Sequence, residues 1–133
     1  MTRYAIDAAT LVHLVTGGMT ADPSHQLVAP NALRTHALDL LLQQVRAESL
    51  TEKEALALHE QMTGIKIRLL GDRVSRRTAW DLARERDWPT LAEAEYLAVA
   101  RLQADALVTI DREMAALADG IVPVEPFQAL LAP

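Results

Sequence analysis

Residues 88–118 read WPTLAEAEYLAVARLQADALVTIDREMAALA, and this stretch decides the fold. It predicts a helix, a short strand over residues 106–110 and a second helix over residues 112–118. The first helix is apolar on nearly every side, which favours burial against a sheet. Glu93 lies near its beginning and Asp111 follows the strand. We therefore expect the two carboxylates to face one another at one end of a parallel sheet.

The same alternation of strands and helices extends over the rest of the chain. Strands are expected over residues 4–6, 27–29, 65–70 and 120–124, and helices over residues 8–15, 30–49, 51–62, 72–86 and 125–131. The second helix is predicted to begin at Pro30, since proline suits the first helical turn. In the fourth helix, Val74, Ala79 and Leu82 are expected to point inward. This order predicts an α/β fold with right-handed crossovers and a mostly parallel sheet covered on both faces.

The composition is that of a single globular domain spanning residues 1–133, half hydrophobic and 23% charged. The net charge of −5 argues against a protein that coats nucleic acid or a membrane by bulk attraction. A local basic surplus lies between residues 66 and 86, which hold seven Lys or Arg against three Asp or Glu. The absence of cysteine suits a reducing cytoplasm, and we expect neither a cleaved leader nor a membrane span.

Three carboxylates, those of Asp7, Glu93 and Asp111, are candidates for one site. Asp7 and Asp111 each follow a predicted strand, and ligands in parallel α/β folds gather at the carboxyl ends of the strands. Several carboxylates held together are costly unless a cation neutralises them, and hard oxygen ligands suit Mg²⁺ or Mn²⁺. Such a site can activate water for the cleavage of a phosphodiester.

Four fragments, in their order along the chain, resemble the PIN-domain family and within it the VapC-type toxins of bacterial toxin–antitoxin pairs. They are YAIDAATLV at residues 4–12, VAPNALRTHALDLL at residues 28–41, EAEYLAVA at residues 93–100 and LVTIDREM at residues 107–114. The resemblance covers nearly the whole chain. It implies a three-layer α/β/α PIN-like domain that binds Mg²⁺ or Mn²⁺ and cleaves RNA. It also implies a protein that is often a homodimer and is inhibited by a cognate antitoxin.

Residue by residue, Asp7 and Asp111 match the first and last core acids of the family. Glu93 stands where the family usually has Asp, and His36 stands where it has Glu. The resemblance thus gives Asp7, Glu93 and Asp111 the catalytic and metal-binding roles. His36 removes a negative charge, although imidazole can bind manganese or act as an acid or base. This departure motivates an alternative function, a catalytically impaired PIN-like domain that serves as a protein-binding module.

Two further residues could support the site. Asp39 lies one helical turn beyond His36 and could take the place of the missing acid, since residues three apart are neighbours on a helix. Thr109 precedes Asp111 by two residues and could brace the floor of the site.

Each candidate also has a purely structural interpretation. Asp7 and Asp111 precede predicted helices and could serve as N-caps. Glu93 could close a capping box with Thr90 and so be occupied by a backbone N–H. The basic run could track an RNA backbone or could simply be a solvated helix face. Its candidate RNA-binding residues are Arg68, Arg73, Arg76 and Arg77.

Overall fold

The computed structural model describes all residues from 1 to 133. Its centre is a sheet of five parallel strands in the spatial order β3-β2-β1-β4-β5. The strands are β1 (Arg3–Ile6), β2 (Gln26–Pro30), β3 (Ile67–Leu70), β4 (Ala106–Val108) and β5 (Val124–Glu125). β1 pairs with both β2 and β4, so the first strand of the chain is also the middle strand of the sheet. The parallel sheet flanked by helices confirms the predicted α/β fold.

Six α-helices and a closing 3-10 turn accompany the sheet. The helices are α1 (Ala8–Thr16), α2 (Leu33–Arg46), α3 (Glu52–Thr63), α4 (Arg73–Arg86), α5 (Ala92–Gln103) and α6 (Arg112–Leu117), and the 3-10 turn is Phe127–Leu130. α1, α2 and α3 pack on one another, whereas α4 packs on α5 and α5 packs on the middle strands. The layers are therefore those of an α/β/α fold.

The expected burial of the helix in the opening stretch is confirmed. In α5, Ala94 and every residue from Leu97 to Ala100 are fully buried. Small alanine side chains allow the helix backbone to approach the sheet closely, while Leu97 and Val99 fill the space between them. α5 therefore packs closely against β1, β2 and β4, the three central strands of the sheet.

The predicted start of the second helix is wrong. Pro30 is the last residue of β2 and pairs with Leu70 of β3, and the helix begins only at Leu33. The register of β1 against β2 ends at Val28, so proline, which has no N–H to donate, stands beyond that ladder. The next residue, Asn31, donates its backbone N–H to the Leu70 carbonyl at 3.0 Å.

The predicted inward face of α4 is correct for Ala79 and Leu82, which are buried, but wrong for Val74, which is 58% exposed. The reason lies in the start of the helix. Asp72 and Ser75 form a capping box that places Ser75 in the buried position. Because successive helical residues point about 100° apart, Val74 then faces solvent.

The last strand is shorter and later than predicted. The backbone N–H groups of Ile121 and Val122 bond back to the carbonyl of Ala118, so these residues form a turn after α6. Only Val124 and Glu125 pair with β4.

Among the helices of the fold, none combines the length and the hydrophobicity needed to cross a bilayer.

Candidate active site

A cleft of about 280 Å³ opens where β1 ends and where α2, α5 and α6 approach one another. We call it the acidic cleft. It is lined by Asp7, Ala8, Ala9, His36, Leu40, Ala92, Glu93, Tyr96, Asp111 and Met114. The structure thus brings together the three predicted carboxylates and the histidine of the second helix, from four separate parts of the chain. No lysine or arginine lines the cleft, so its lining is negative.

Asp7 is the buried member of this set, with only 4% of its surface exposed. Its Oδ1 accepts hydrogen bonds from the backbone N–H of Thr10 at 3.0 Å and from the Thr10 hydroxyl. Asp7 therefore caps α1, as one of the two interpretations predicted. No Lys, Arg or His forms an ion pair with it. The carboxylate is held by hydrogen bonds alone.

Thr109 joins Asp7 to the last part of the site. Its hydroxyl donates to Asp7 Oδ2 at 2.6 Å and accepts from the backbone N–H of Asp111 at 3.0 Å. The backbone N–H of Ile110 donates to the Thr10 hydroxyl at 3.1 Å. These N–H groups point at side chains instead of a neighbouring strand, which explains why β4 ends at Val108 and not at residue 110 as predicted.

Asp111 is exposed at the mouth of the cleft, and it too is an N-cap. Its Oδ1 accepts the backbone N–H of Glu113 at 2.9 Å, while its other oxygen makes no hydrogen bond within the protein. The capping role leaves one carboxylate oxygen available to a ligand. The structural and functional interpretations of Asp111 are therefore compatible.

Glu93 does not close a capping box, so that alternative is wrong. The N-cap of α5 is Leu91, one residue later than Thr90, and no side chain caps the helix. Glu93 lies in the first turn and lines the cleft, with no hydrogen-bond partner for its carboxylate. Glu93 is exposed, and its carboxylate is available to a ligand of the cleft.

His36 and Tyr96 form a pair on the opposite wall. The His36 Nδ1 and the Tyr96 hydroxyl lie 2.7 Å apart, and their rings are tilted at 42°. Burial raises the pKa of Tyr96 above its ordinary value of 10.0, and the negative charges of Asp7 and Glu95 raise it further. The phenol therefore keeps its proton at any ordinary pH.

The carboxylates are suited to a hard divalent cation by their chemistry, because they are oxygen donors in a cleft without a basic side chain. They are not drawn together into a closed ligand set: the protein has no cluster of three or more His, Cys, Asp or Glu arranged to hold a metal ion. A bound cation would have to draw the Glu93 and Asp111 side chains toward the fixed Asp7. Both side chains are exposed, and each has a carboxylate oxygen that makes no hydrogen bond within the protein.

The other predicted residues lie outside the acidic cleft. Asp39 is exposed on α2 and lines a separate groove with residues of α3, away from the carboxylates of the cleft. The candidate RNA-binding residues are all exposed, on β3 and α4, and none lines the cleft: Arg68, Arg73, Arg76 and Arg77. Arg77 is engaged in an ion pair with Asp81 at 3.1 Å.

Two residues of the site were not singled out from the sequence. Thr10 is fully buried and holds Asp7, and its position three residues after an N-cap is a signal that the sequence does carry. Tyr96 lies one turn after Glu93, on the same helix face, and a helical projection would have placed both toward the cleft. Its contact with His36, 60 residues away, has no such local signal.

Comparison with known proteins gives a structural likeness only. No protein-family model matches the chain, and no curated protein matches it. The crystal structure of PAE2754 from Pyrobaculum aerophilum is similar, with a TM-score of 0.71 and 21% sequence identity. The similarity covers 97% of this chain and 93% of that one, so the whole fold is shared.

Proposed function

We propose that this protein is a metal-dependent endoribonuclease of the PIN-domain, VapC type, which cleaves RNA phosphodiesters with Mg²⁺ or Mn²⁺ held by acidic residues. One observation carries the proposal. The buried carboxylate of Asp7 has no cationic partner and faces a cleft that holds two further carboxylates and no lysine or arginine.

The energetics of this arrangement favour a cation. A carboxylate removed from water loses hydration worth several kcal/mol, which hydrogen bonds from Thr10 and Thr109 only partly replace. Glu93 and Asp111 add like charges at the same cleft. A divalent ion would neutralise these carboxylates, because no lysine or arginine of the protein lines the cleft. The carboxyl ends of parallel strands are also where such folds bind their ligands.

Each residue then has a defined task. Asp7, Glu93 and Asp111 would hold the metal, with Asp7 fixed and the other two closing on it. Thr109 positions both the Asp7 carboxylate and the backbone of Asp111 at the start of α6. When bound, the metal supplies an activated water and neutralises charge on the phosphate. The arginines outside the cleft would contact the RNA backbone at a distance from the scissile bond.

The test compares two charge-neutral variants. Glu93→Gln removes a cleft carboxylate that has no structural partner, and Asp39→Asn removes an exposed carboxylate on α2 outside the cleft. With Mn²⁺ present, Glu93→Gln is expected to slow RNA cleavage about a hundredfold or more, and Asp39→Asn to leave it within about twofold. Absence of cleavage by the wild-type protein in Mn²⁺ and Mg²⁺, or equal rates for the two variants, would refute the proposal.

A protein partner is also part of this proposal. A groove between α2 and α3 exposes Leu42 by 43% and Leu56 by 53%, and it is bordered by Asp39 and Glu52. Exposed apolar side chains of this size support a binding surface, to which either a cognate antitoxin or a second copy of the chain could attach. Light scattering of the isolated protein separates these: a monomer at high concentration would count against the homodimer.

The impaired-module function is the second candidate, and the exchange of the expected acid for His36 favours it. Calorimetry with Mn²⁺ distinguishes the two functions. Binding in the micromolar range that Asp111→Asn abolishes would speak for the nuclease. Failure of the wild-type protein to bind Mn²⁺ would speak for the module.

A further inference from the structure

Within the proposed function, the acidic cleft must also contact an anionic substrate. Of the residues that line it, only His36 and Tyr96 carry a side-chain hydrogen that can be donated. A phosphate entering a cleft with three carboxylates needs a donor besides the cation. The pair of His36 and Tyr96 is the only source of a side-chain donor in the cleft wall.

The hydrogen bond between Tyr96 and His36 indicates which of the two residues is the donor. Tyr96 is 5% exposed, and its hydroxyl, in a part-buried contact, has one partner in the protein, His36 Nδ1 at 2.7 Å. The phenol is protonated, so its hydroxyl hydrogen needs an acceptor. The imidazole nitrogen His36 Nδ1 is the acceptor within hydrogen-bond distance. If His36 donated through Nδ1 instead, the Tyr96 hydrogen would have no acceptor within the protein. This difference favours Tyr96 as the donor and His36 Nδ1 as the acceptor.

This direction determines the other side of the imidazole ring. A neutral histidine that accepts at Nδ1 carries its proton at Nε2. His36 Nε2 has no hydrogen-bond partner in the protein, and it is not among the buried polar atoms that lack one. It is thus open to solvent on a residue that lines the cleft.

We infer that Tyr96 holds His36 as the Nε2–H tautomer, so that His36 serves as a hydrogen-bond donor to the substrate phosphate and not as a metal ligand. The inference rests on the proposed function for the identity of the substrate. Tyr96 is a positioning residue, since it acts only through His36. In the PIN-domain family this position has an acid, which would bind a cation. With His36 there, the same position would bind an anion instead.

Nuclear magnetic resonance tests the tautomer directly in the metal-free, ¹⁵N-labelled protein. Long-range ¹H–¹⁵N correlation distinguishes a protonated from a bare imidazole nitrogen, and His36→Gln identifies the signals among the four histidines. We expect Nδ1 bare and Nε2 protonated in the wild type, and a mixture of tautomers in Tyr96→Phe. Tyr4→Phe alters the only other tyrosine and serves as the control that leaves His36 unchanged. A protonated Nδ1 in the wild type would overturn the inference.

Calorimetry tests the role with two probes, Mn²⁺ alone and uridine 5′-monophosphate in the presence of Mn²⁺. The nucleotide carries a phosphate but no phosphodiester to cleave. His36→Ala is expected to leave Mn²⁺ affinity within about threefold and to weaken nucleotide binding about tenfold. His36→Gln retains an N–H donor and should restore most of the nucleotide affinity. A loss of Mn²⁺ affinity of about tenfold or more in both variants would place His36 in the metal site and overturn the inference. Nucleotide binding unchanged in His36→Ala, or absent from the wild type, would overturn it too.

The two proposals fail in different experiments. If the wild-type protein binds no Mn²⁺, the proposed nuclease is refuted while the tautomer measured without metal still stands. If Mn²⁺ binds and Glu93→Gln abolishes that binding, but His36→Ala leaves nucleotide binding intact, only the role of His36 is refuted.

Discussion

Thr109→Val is the sharpest probe of how the fold holds its central carboxylate. Valine keeps the shape of threonine but removes the hydroxyl that donates to Asp7 Oδ2 at 2.6 Å and accepts from the Asp111 N–H at 3.0 Å. A hydrogen bond to a charged group contributes about 1.5–3 kcal/mol, and a neutral one about 0.5–1.5 kcal/mol. The second bond lies near the surface, where water replaces it, so the first dominates. We expect the free energy of unfolding to fall by about 2–3 kcal/mol.

Urea unfolding followed by circular dichroism measures this loss. Thr63→Val is the matched control, because the Thr63 hydroxyl donates to the Glu60 carbonyl at 2.7 Å on an exposed helix end. That substitution should cost less than about 0.5 kcal/mol. If both variants lost the same small amount, Asp7 would not depend on Thr109. The hydrogen bond between these two residues, which are 102 positions apart in the sequence, would then not contribute to the free energy of unfolding.

Three further predictions follow from the same structure. His36→Glu places a fourth carboxylate in the cleft and should tighten Mn²⁺ binding about tenfold by calorimetry, and weaker binding would contradict a cation site there. The backbone N–H of Thr51 lowers the pKa of Glu54 below its ordinary 4.5. The stability that ionised Glu54 contributes is therefore complete above pH 4.5 and is lost as pH falls through the lowered value. The urea midpoint of Glu54→Gln should accordingly depend less on pH between 6 and 3 than that of the wild type, and parallel curves would contradict this. Leu97→Ala empties a fully buried position in α5 and should cost about 2.5–5 kcal/mol, against less than about 1 kcal/mol for Leu102→Ala, which is 42% exposed. Equal losses in urea unfolding would contradict the packing of α5.

Much of the fold could be predicted because its signals are local. Alternating apolar segments gave the order of strands and helices, and Asp7 and Asp111 could be placed at strand ends from their neighbours in sequence. Pro30 was misplaced because its preference for a first helical turn and its tolerance at the end of a ladder are equally local, and only the register of β1 decides between them. Glu93 was uncertain for the same reason, since the helix begins one residue later than the capping pattern predicts.

The contacts that define the site were beyond sequence reasoning. His36 and Tyr96 are 60 residues apart, and Thr109 and Asp7 are 102 apart. No periodicity links such pairs, because each depends on how α2, α5 and β4 converge after the sheet has formed. Asp39 shows the reverse error: spacing on the helix made it a plausible substitute for the missing acid, but it faces the groove toward α3.

The unequal duties of the acids bear on how related sequences should be read. Asp7 caps a helix and ties it to a distant strand end, whereas Glu93 has no partner in the fold. If the proposed nuclease activity were lost in a related protein, Glu93 could be replaced without a loss of stability, whereas Asp7 would still be needed to cap α1 and to accept the Thr109 hydroxyl. Conservation of Asp7 among related sequences is therefore weak evidence of nuclease activity. Conservation of Glu93 is stronger evidence, because the fold does not need this side chain.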